Sequence, residues 1–408
     1  MPDLLFLTQR IPYPPIKGEK IRPLQILKHL RKSYDVHLGC LVDDPADEEH
    51  IGTVAALCQT SHFARLDRRR AKLMCLTGLL TGDPLSVTFY RDRGLADWVR
   101  RTIRQVRPEI LFICSSNMAP YVLGLHGGAR VTLCDLADVD SEKWRAYSEQ
   151  DKGPMGLVHA REWREVAKLE ARIARELDWS TFVTEEEAAL FRSQRPAEAA
   201  KIRAVPSGVD YAYFDPSIPQ EAPFATDQLN FVFTGTMDYP PNVDAVRWFA
   251  LEILPIIRRT APDAQFHIVG SSPAAEVRAL ASTTGVFVTG RVPDVRPYVA
   301  HATAGVAPMR IARGIQNKVL EAMAMARPVV VTGDALEGID AEPGRELLLA
   351  EGADGFAARC LEAASPEGQA IGQAARARIE RDYSWEGRLR GFDKLLDGAS
   401  ACPPRSGT

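Results

Sequence analysis

The sequence predicts an α/β protein of two successive domains, each a parallel sheet carrying helices. Three observations predict it. The chain has 408 residues, more than one hydrophobic core organises, because domains usually run about 100–200 residues. Its composition, 46% hydrophobic and 25% charged, is that of an ordinary globular protein and excludes a largely disordered or fibrous chain. Short apolar runs also alternate with helical spacings in two series, separated by a turn-rich stretch.

The elements follow in order. Residues 4–8 form an apolar run with the length of a buried strand, and a proline-rich loop leads from Ile11 to Gly18. Ile21, Leu24, Ile26, Leu27 and Leu30 then have helical spacing, and residues 36–42 read as a second strand. Strand, loop, helix and strand make a βαβ unit, for which a parallel sheet is the economical architecture. Further strands are expected at 110–114, 131–134 and 181–184, with a long helix over 162–174. Residues 205–210 and 215–223 are punctuated by Pro, Gly and Asp and mark the junction. The second series has strands at 231–234, 265–269, 286–289, 305–308 and 328–332. Its helices are expected at 244–259 and 316–326. A last helical stretch, 383–396, has no strand after it. The expected division is 1–207, 208–382, and a returning helix with its tail over 383–408.

Charge narrows the function classes. Lys plus Arg number 50 against 53 Asp plus Glu, a net charge of -3. A dedicated nucleic-acid binder carries a basic excess, so that class falls. No stretch reaches the roughly 18–20 apolar residues of a membrane span. The opening MPDLLFLTQR enters a strand directly with no leader pattern, so a cytoplasmic location is expected. Seven cysteines without a Cys-x-x-Cys pair point to reduced thiols, with no zinc site and no disulfide frame. The charge is uneven: residues 1–207 hold 31 basic and 28 acidic side chains, residues 208–408 hold 19 and 25, and the window 65–107 holds 11 and 4. That window contains Arg68, Arg69, Arg70 and Lys72, followed by Leu73 and Met74. Such a basic, partly apolar segment suits an anionic membrane surface. A solvated helix face with its apolar side in the core is the other reading.

Two α/β domains favour a ligand at the carboxyl ends of their strands, in a cleft between them. In the second domain a strand ends at Pro308, a loop containing Gly314 follows, and a helix begins near Gln316. The amides that open such a helix, and the positive end of its dipole, suit a phosphate. Asn317 and Lys318 lie four and three residues before Glu321, so the three share one face of the helix. A carboxylate there can accept hydrogen bonds from two sugar hydroxyls. A solvent-facing Glu–Lys pair is the alternative that spacing alone leaves open.

The run Asn317-Lys318-Val319-Leu320-Glu321-Ala322-Met323-Ala324-Met325-Ala326-Arg327-Pro328-Val329-Val330 resembles the donor-site signature of retaining glycosyltransferases of the GT-B fold, glycosyltransferase family 4. The loop around Gly18, Ser207-Gly208-Val209-Asp210 with Phe214, Phe233-Thr234-Gly235-Thr236-Met237 and Ile268-Val269-Gly270 stand in the same order as in that family. More narrowly, the chain resembles sugar transferases associated with PEP-CTERM/exosortase exopolysaccharide loci. That likeness rests on Arg10-Ile11-Pro12-Tyr13-Pro14-Pro15 with Lys17-Gly18, Val42-Asp43-Asp44-Pro45-Ala46-Asp47, Asp138-Val139-Asp140-Ser141 with Lys143-Trp144, and Arg313-Gly314-Ile315-Gln316-Asn317-Lys318.

The resemblance implies two Rossmann-like domains facing each other across a cleft. It implies a hexose-type transfer from a nucleoside-diphosphate sugar to a glycan or polyprenyl-linked acceptor, with no metal and no cofactor beyond the co-substrate. Glu321 would bind the donor ribose. Gly314, Ile315, Gln316 and Asn317 would offer their turn to the diphosphate or sugar, and Gly18, Gly235 and Thr236 would line the phosphates. Two departures are visible. The broader family has a second glutamate where Arg313 stands, and an Arg and a Lys where Thr236 and Asn242 stand. Arg310, Arg313, Arg291 and Lys318 are then the available cations, and Arg313 reads as relocated charge. Asp135, Asp138 and Asp140, with Ser115, Ser116 and Asn117, are expected on the acceptor side, Asp138 among the catalytic candidates. An Asp-x-Asp metal site is the lesser reading of Asp138 and Asp140, since that motif belongs to a different, single-domain architecture. A nucleotide-sugar epimerase of the same fold and a non-catalytic nucleotide-sugar-binding or scaffold protein are the alternative functions. The expected partners are a nucleotide sugar, the acceptor and, through 65–107, the inner face of a membrane.

Overall fold

The computed structural model describes residues 1–15, 18–125, 128–151, 153–312 and 315–398. The chain forms two compact units, Met1–Pro206 together with the segment from Leu389, and Ser207–Arg388.

The first unit holds a seven-stranded sheet of β1 (Asp3–Thr8), β2 (Asp35–Val42), β3 (Thr60–Arg65), β4 (Ile110–Cys114), β5 (Val131–Ala137), β6 (Trp179–Phe182) and β7 (Ile202–Ala204). Their order is β3-β2-β1-β4-β5-β6-β7, and every pairing is parallel. The central strands are fully buried: Leu4 to Leu7 on β1 and Ile110 to Ile113 on β4 are closed off from solvent. Phe6 and Phe112 meet edge to face at 5.5 Å. From the final helix Trp385–Asp397, Phe392 adds an edge contact to Phe112 at 5.0 Å, and Asp393 bonds His29 at 2.7 Å.

The second unit holds β8 (Asn230–Thr234), β9 (Gln265–Val269), β10 (Val286–Gly290), β11 (Ala304–Ala307), β12 (Val329–Val331) and β13 (Leu348–Leu349), ordered β10-β9-β8-β11-β12-β13 and again all parallel. The helix expected over 244–259 starts earlier, at Pro240, and runs to Thr260 with a wide π turn over Phe249–Ile253. Pro255 follows that turn and has no N–H for the regular ladder, which accounts for the break. The strands the sequence pattern does not announce, β3, β7 and β13, lie at or next to sheet edges. There they need no continuous apolar run.

Strand order reverses direction between β1 and β4, and again between β8 and β11. In an open parallel sheet such a switch point leaves a crevice beyond the strands' carboxyl ends, because the flanking connections run to opposite faces. One structural detail sets the depth of the second crevice. A Cβ on Gly305, in β11, would stand 2.8 Å from Ala322 Cβ, so glycine lets the helix Asn317–Ala324 lie directly on the sheet.

Candidate functional site

The second switch point gathers the donor-side candidates. β8 ends at Thr234, and the Gly235 amide bonds the Val269 carbonyl at 3.1 Å. A Cβ on Gly270 would fall 1.6 Å from the Gly235 oxygen, so the two strand ends touch backbone to backbone. Asn242 is buried behind this loop, and its Nδ2 donates to the Thr236 carbonyl at 2.9 Å. Across the switch point, Gln316 precedes the helix Asn317–Ala324 without a side-chain cap bond. The first amides of a helix have no carbonyl of a preceding turn within the helix to bond, and this helix opens in the connection that follows β11.

Glu321 stands one turn inside, half-buried on the face it shares with Lys318. Burial pushes its carboxyl up to about 7, with the Lys318 ammonium opposing. Lys318 is pushed the other way by burial, down to about 8, with Glu321 opposing. Its Nζ donates to Gln316 Oε1 at 3.0 Å and Asn242 Oδ1 at 3.4 Å, and lies 4.9 Å from the centre of the Phe233 ring. The far end of the helix is pinned by Arg376, whose Nη1 donates to the carbonyls of Ala324, Phe214 and Tyr211 at 2.7, 2.8 and 2.9 Å. Arg376 escaped the sequence reading because its three acceptors are main-chain atoms, which leave no trace in residue type.

The other expected cations fare differently. Arg310 donates from Nε to Asp244 Oδ2 at 3.0 Å and from Nη2 to the other oxygen, and lies over the Trp248 ring. Arg291 is exposed after β10. Arg313 and Gly314 lie outside the described residues. Ile315, Gln316 and Asn317 are half-buried beside the helix start.

At the first switch point the acceptor-side candidates separate. Asp135 is corrected. It is almost fully buried, takes two hydrogen bonds from Arg22 at 2.7 and 2.9 Å and a third from Thr181 Oγ1 at 2.8 Å, and so faces the interior of its own unit. Asp140 is half-buried and accepts from Ser116 Oγ at 2.9 Å; burial raises its carboxyl, with Lys143 and Ser116 opposing. Asp138 is the exposed one of the three. Ser115, at φ 80°, accepts from the Asn117 amide at 3.4 Å, so the turn after β4 is internally tied. Two buried glutamates the sequence did not single out brace this region. Glu170 accepts from the Ser141 amide and hydroxyl, and Glu187 accepts from the Val139 amide.

Gly18 opens the helix Gly18–Leu30, whose first turns are held by three cation–carboxylate contacts. Arg10 pairs with Glu19 and, at 3.2 Å, with Asp43; Lys20 pairs with Asp47 at 2.6 Å; Arg22 pairs with Asp135 and also donates to the Val205 carbonyl at 2.8 Å. Asp47 and Asp135 stand 27 and 113 residues from their partners, far beyond any local pattern. Removing one member of a buried pair strands the other charge, at about 3–5 kcal/mol. Arg22→Met is therefore expected to lower unfolding stability by that amount in denaturant titration, and a loss below about 1 kcal/mol would show that the pair does not hold this helix.

Residues 228–365 match the family described as Glycosyl transferases group 1. No curated protein matches the chain. Among solved structures the chain is similar to sucrose-phosphate synthase from Thermosynechococcus elongatus, at TM-score 0.70 and 17% identity over 98% of this chain and 99% of that one. It is also similar to HepE of Anabaena in complex with UDP and glucose, at TM-score 0.67 and 13% identity, covering 98% and 100%. A glycosyltransferase from Rickettsia africae aligns at TM-score 0.62 and 14% identity, covering 98% and 100%. At such identities the likeness is one of fold, and the fold is the GT-B type, two parallel-sheet α/β domains of seven and six strands.

Proposed function

We propose that the chain is a glycosyltransferase that takes a sugar from a nucleoside-diphosphate sugar. The observation that carries this reading is Glu321, half-buried one turn inside a helix that opens at the β8–β11 switch point. The match of residues 228–365 to Glycosyl transferases group 1 encloses that whole arrangement. A carboxylate there suits a pair of ribose hydroxyls, and the opening amides suit a diphosphate. HepE, of the same fold, is described in complex with UDP and glucose, which supports a nucleotide-sugar donor.

The finer assignment rests on the motif resemblance. The enzyme belongs with family 4, transfers with retention, needs no metal, and works at the cytoplasmic side of a membrane in exopolysaccharide synthesis on a glycan or polyprenyl-linked acceptor. In the reaction the bond between the anomeric carbon and the diphosphate oxygen breaks as the bond to the acceptor oxygen forms. The acceptor proton passes to the departing diphosphate. The residues' task is then to hold the donor and stabilise the charge that develops on the leaving group. Asp138, the exposed aspartate after β5, is the carboxylate assigned to the acceptor.

Helix Arg68–Thr81 supports the membrane contact. Asp67 caps it, Arg68, Arg69, Arg70 and Lys72 are exposed, and Leu73 is 70% and Met74 49% exposed, so these apolar side chains do not face a core. Arg161 donates to the Gly78 carbonyl at 2.7 Å, which brings a second helix alongside, and that helix exposes Met155 and Leu157.

Two measurements test these assignments. In a thermal-shift screen, one nucleoside diphosphate among UDP, GDP, ADP, CDP and dTDP should raise the melting temperature. Ionised Glu321 exists above about 7 and the Lys318 ammonium below about 8. The stabilisation should therefore peak between those values, fading at lower pH as Glu321 protonates and at higher pH as Lys318 loses its proton. Glu321→Gln should weaken binding by about tenfold or more and flatten the acid limb. A screen in which no nucleotide shifts the transition would end the donor reading. For the membrane, replacing Arg68, Arg69, Arg70 and Lys72 by Gln should cut sedimentation with phosphatidylserine-containing vesicles by at least about tenfold, each basic side chain near such a surface being worth about 1 kcal/mol. Unchanged sedimentation would remove the helix from the interface.

A further inference from the structure

The helix Asp140–Gln150, which follows β5, has two faces of different character. One is buried and holds the helix in its unit. Ser141 donates from its amide and hydroxyl to Glu170 on the helix Pro154–Glu176, and Glu142 accepts from Gln194 Nε2 at 2.9 Å. The other face carries Asp140, Lys143, Trp144 and Tyr147, whose helical spacing sets them in one stripe. Lys143 is exposed and the other three are half-buried.

The stripe changes chemistry along its length. At its start Asp140 accepts from Ser116 Oγ at 2.9 Å, and the Lys143 ammonium stabilises the charged carboxyls of Asp140 and Asp138. Farther on it is aromatic. Trp144 and Tyr147 meet edge to face at 5.9 Å with their planes 85° apart, so they form a corner and not a flat stack. His159, from the neighbouring helix, braces both, at 5.6 Å from Trp144 and 5.8 Å from Tyr147. Neither ring belongs to the core cluster that this neighbouring helix joins through Leu169, Ile173 and Ala174, nor to the side chains packed on it. Neither the indole N–H nor the phenol O–H has a hydrogen-bond partner among the described residues.

Rings held with an apolar body and a wet polar tip suit an interface. A pyranose matches this stripe on both counts. One face of its ring is a sheet of C–H bonds that packs on an aromatic surface, and the hydroxyls around its rim bond carboxylate, ammonium, N–H and O–H groups. Charge argues against an anionic lipid surface here, because Asp138 and Asp140 outnumber Lys143, unlike the basic helix Arg68–Thr81. From Asp140 to Tyr147 the helix rises about 10 Å, longer than a single sugar ring.

Resting on the transferase reading above, we propose that Trp144 and Tyr147, braced by His159, bind the second sugar of the acceptor. The acceptor is then a saccharide of at least two rings, whose terminal ring meets Asp138, Asp140 and Lys143.

Ligand-observed NMR titration of the full chain tests this with glucose, galactose and mannose and with cellobiose, lactose, maltose and mannobiose. At least one disaccharide should bind at least about tenfold more tightly than any of the monosaccharides, the scale of a well-placed aromatic contact. Trp144→Leu, which keeps apolar bulk and removes the ring, should bring that ratio close to one. Trp144→Phe should keep most of it, and Tyr147→Leu should lower it partway. The ratio is the informative quantity, because a loosened helix weakens both kinds of sugar together. If Trp144→Leu folds poorly, Trp144→Met carries the same expectation. A wild type that does not distinguish two rings from one overturns the proposal, as does a ratio unchanged in both leucine variants. So does a Trp144→Leu variant that keeps the ratio and loses sedimentation with phosphatidylserine-containing vesicles, since the ring then belongs to a membrane contact. The thermal shift produced by a nucleoside diphosphate should be the same in Trp144→Leu and wild type. No such shift in the wild type ends the donor reading, whereas a shift without a disaccharide preference ends this proposal alone.

Discussion

Parallel pairing of strands imposes the constraint from which the rest of the molecule follows. Neighbouring parallel strands need a crossover between them, so all carboxyl ends of a sheet point the same way and every loop leaving them lies along one rim. In each sheet the chain starts in the middle, builds outwards to one edge, then returns to build the other. The first strand and the one paired with it on the return side, β1 with β4 and β8 with β11, are therefore where connections part to opposite faces. Gly18 with Ser115, Ser116 and Asn117 falls at one parting, and Gly235 with Gln316, Asn317 and Lys318 at the other. Residues about 80 to 100 positions apart are thus brought to one rim for reasons of topology, before any side chain is considered.

Within that frame, the two units treat charge in opposite ways. At the first rim, Lys20 and Arg22 are buried near the start of a helix, where the dipole disfavours cations, and each has its own carboxylate. The attraction offsets the desolvation only because the geometry is close and two-pronged in the case of Arg22. Those groups fix the helix that Gly18 opens and have little charge left for a ligand. Lys318 also lies in the first turn of its helix, with the amide oxygens of Gln316 and Asn242 on its ammonium and Glu321 one turn on.

What the sequence made legible follows from which signals are local. The central strands were readable because burial on both faces writes an unbroken apolar run, as in residues 4–7 and 110–113. The edge strands were not: β3 reads Thr-Ser-His-Phe-Ala-Arg, half wet and without alternation strong enough to declare itself. Glu321 and its neighbours were readable because a helix places residues three and four apart on one face. Asp135 was misread because a carboxylate at a strand's end looks the same whether it faces solvent or a guanidinium supplied by residue 22. Asn242 could be noticed as a departure from a pattern, but its use as a bracket between Thr236 and Lys318 depends on side-chain direction, which no spacing encodes.

These differences bear on how a transferase of this kind can work. In the proposed reaction the charge that grows is on the leaving diphosphate, so useful groups are donors and cations already fixed there and not neutralised. A helix end supplies a partial positive charge of roughly half a unit. Burial strengthens such an attraction relative to water, where two charges about 4 Å apart gain only about 1 kcal/mol. Asn242 and Gln316 hold the Lys318 ammonium through neutral oxygens, and Glu321, one turn on, is the carboxylate that opposes its loss of charge.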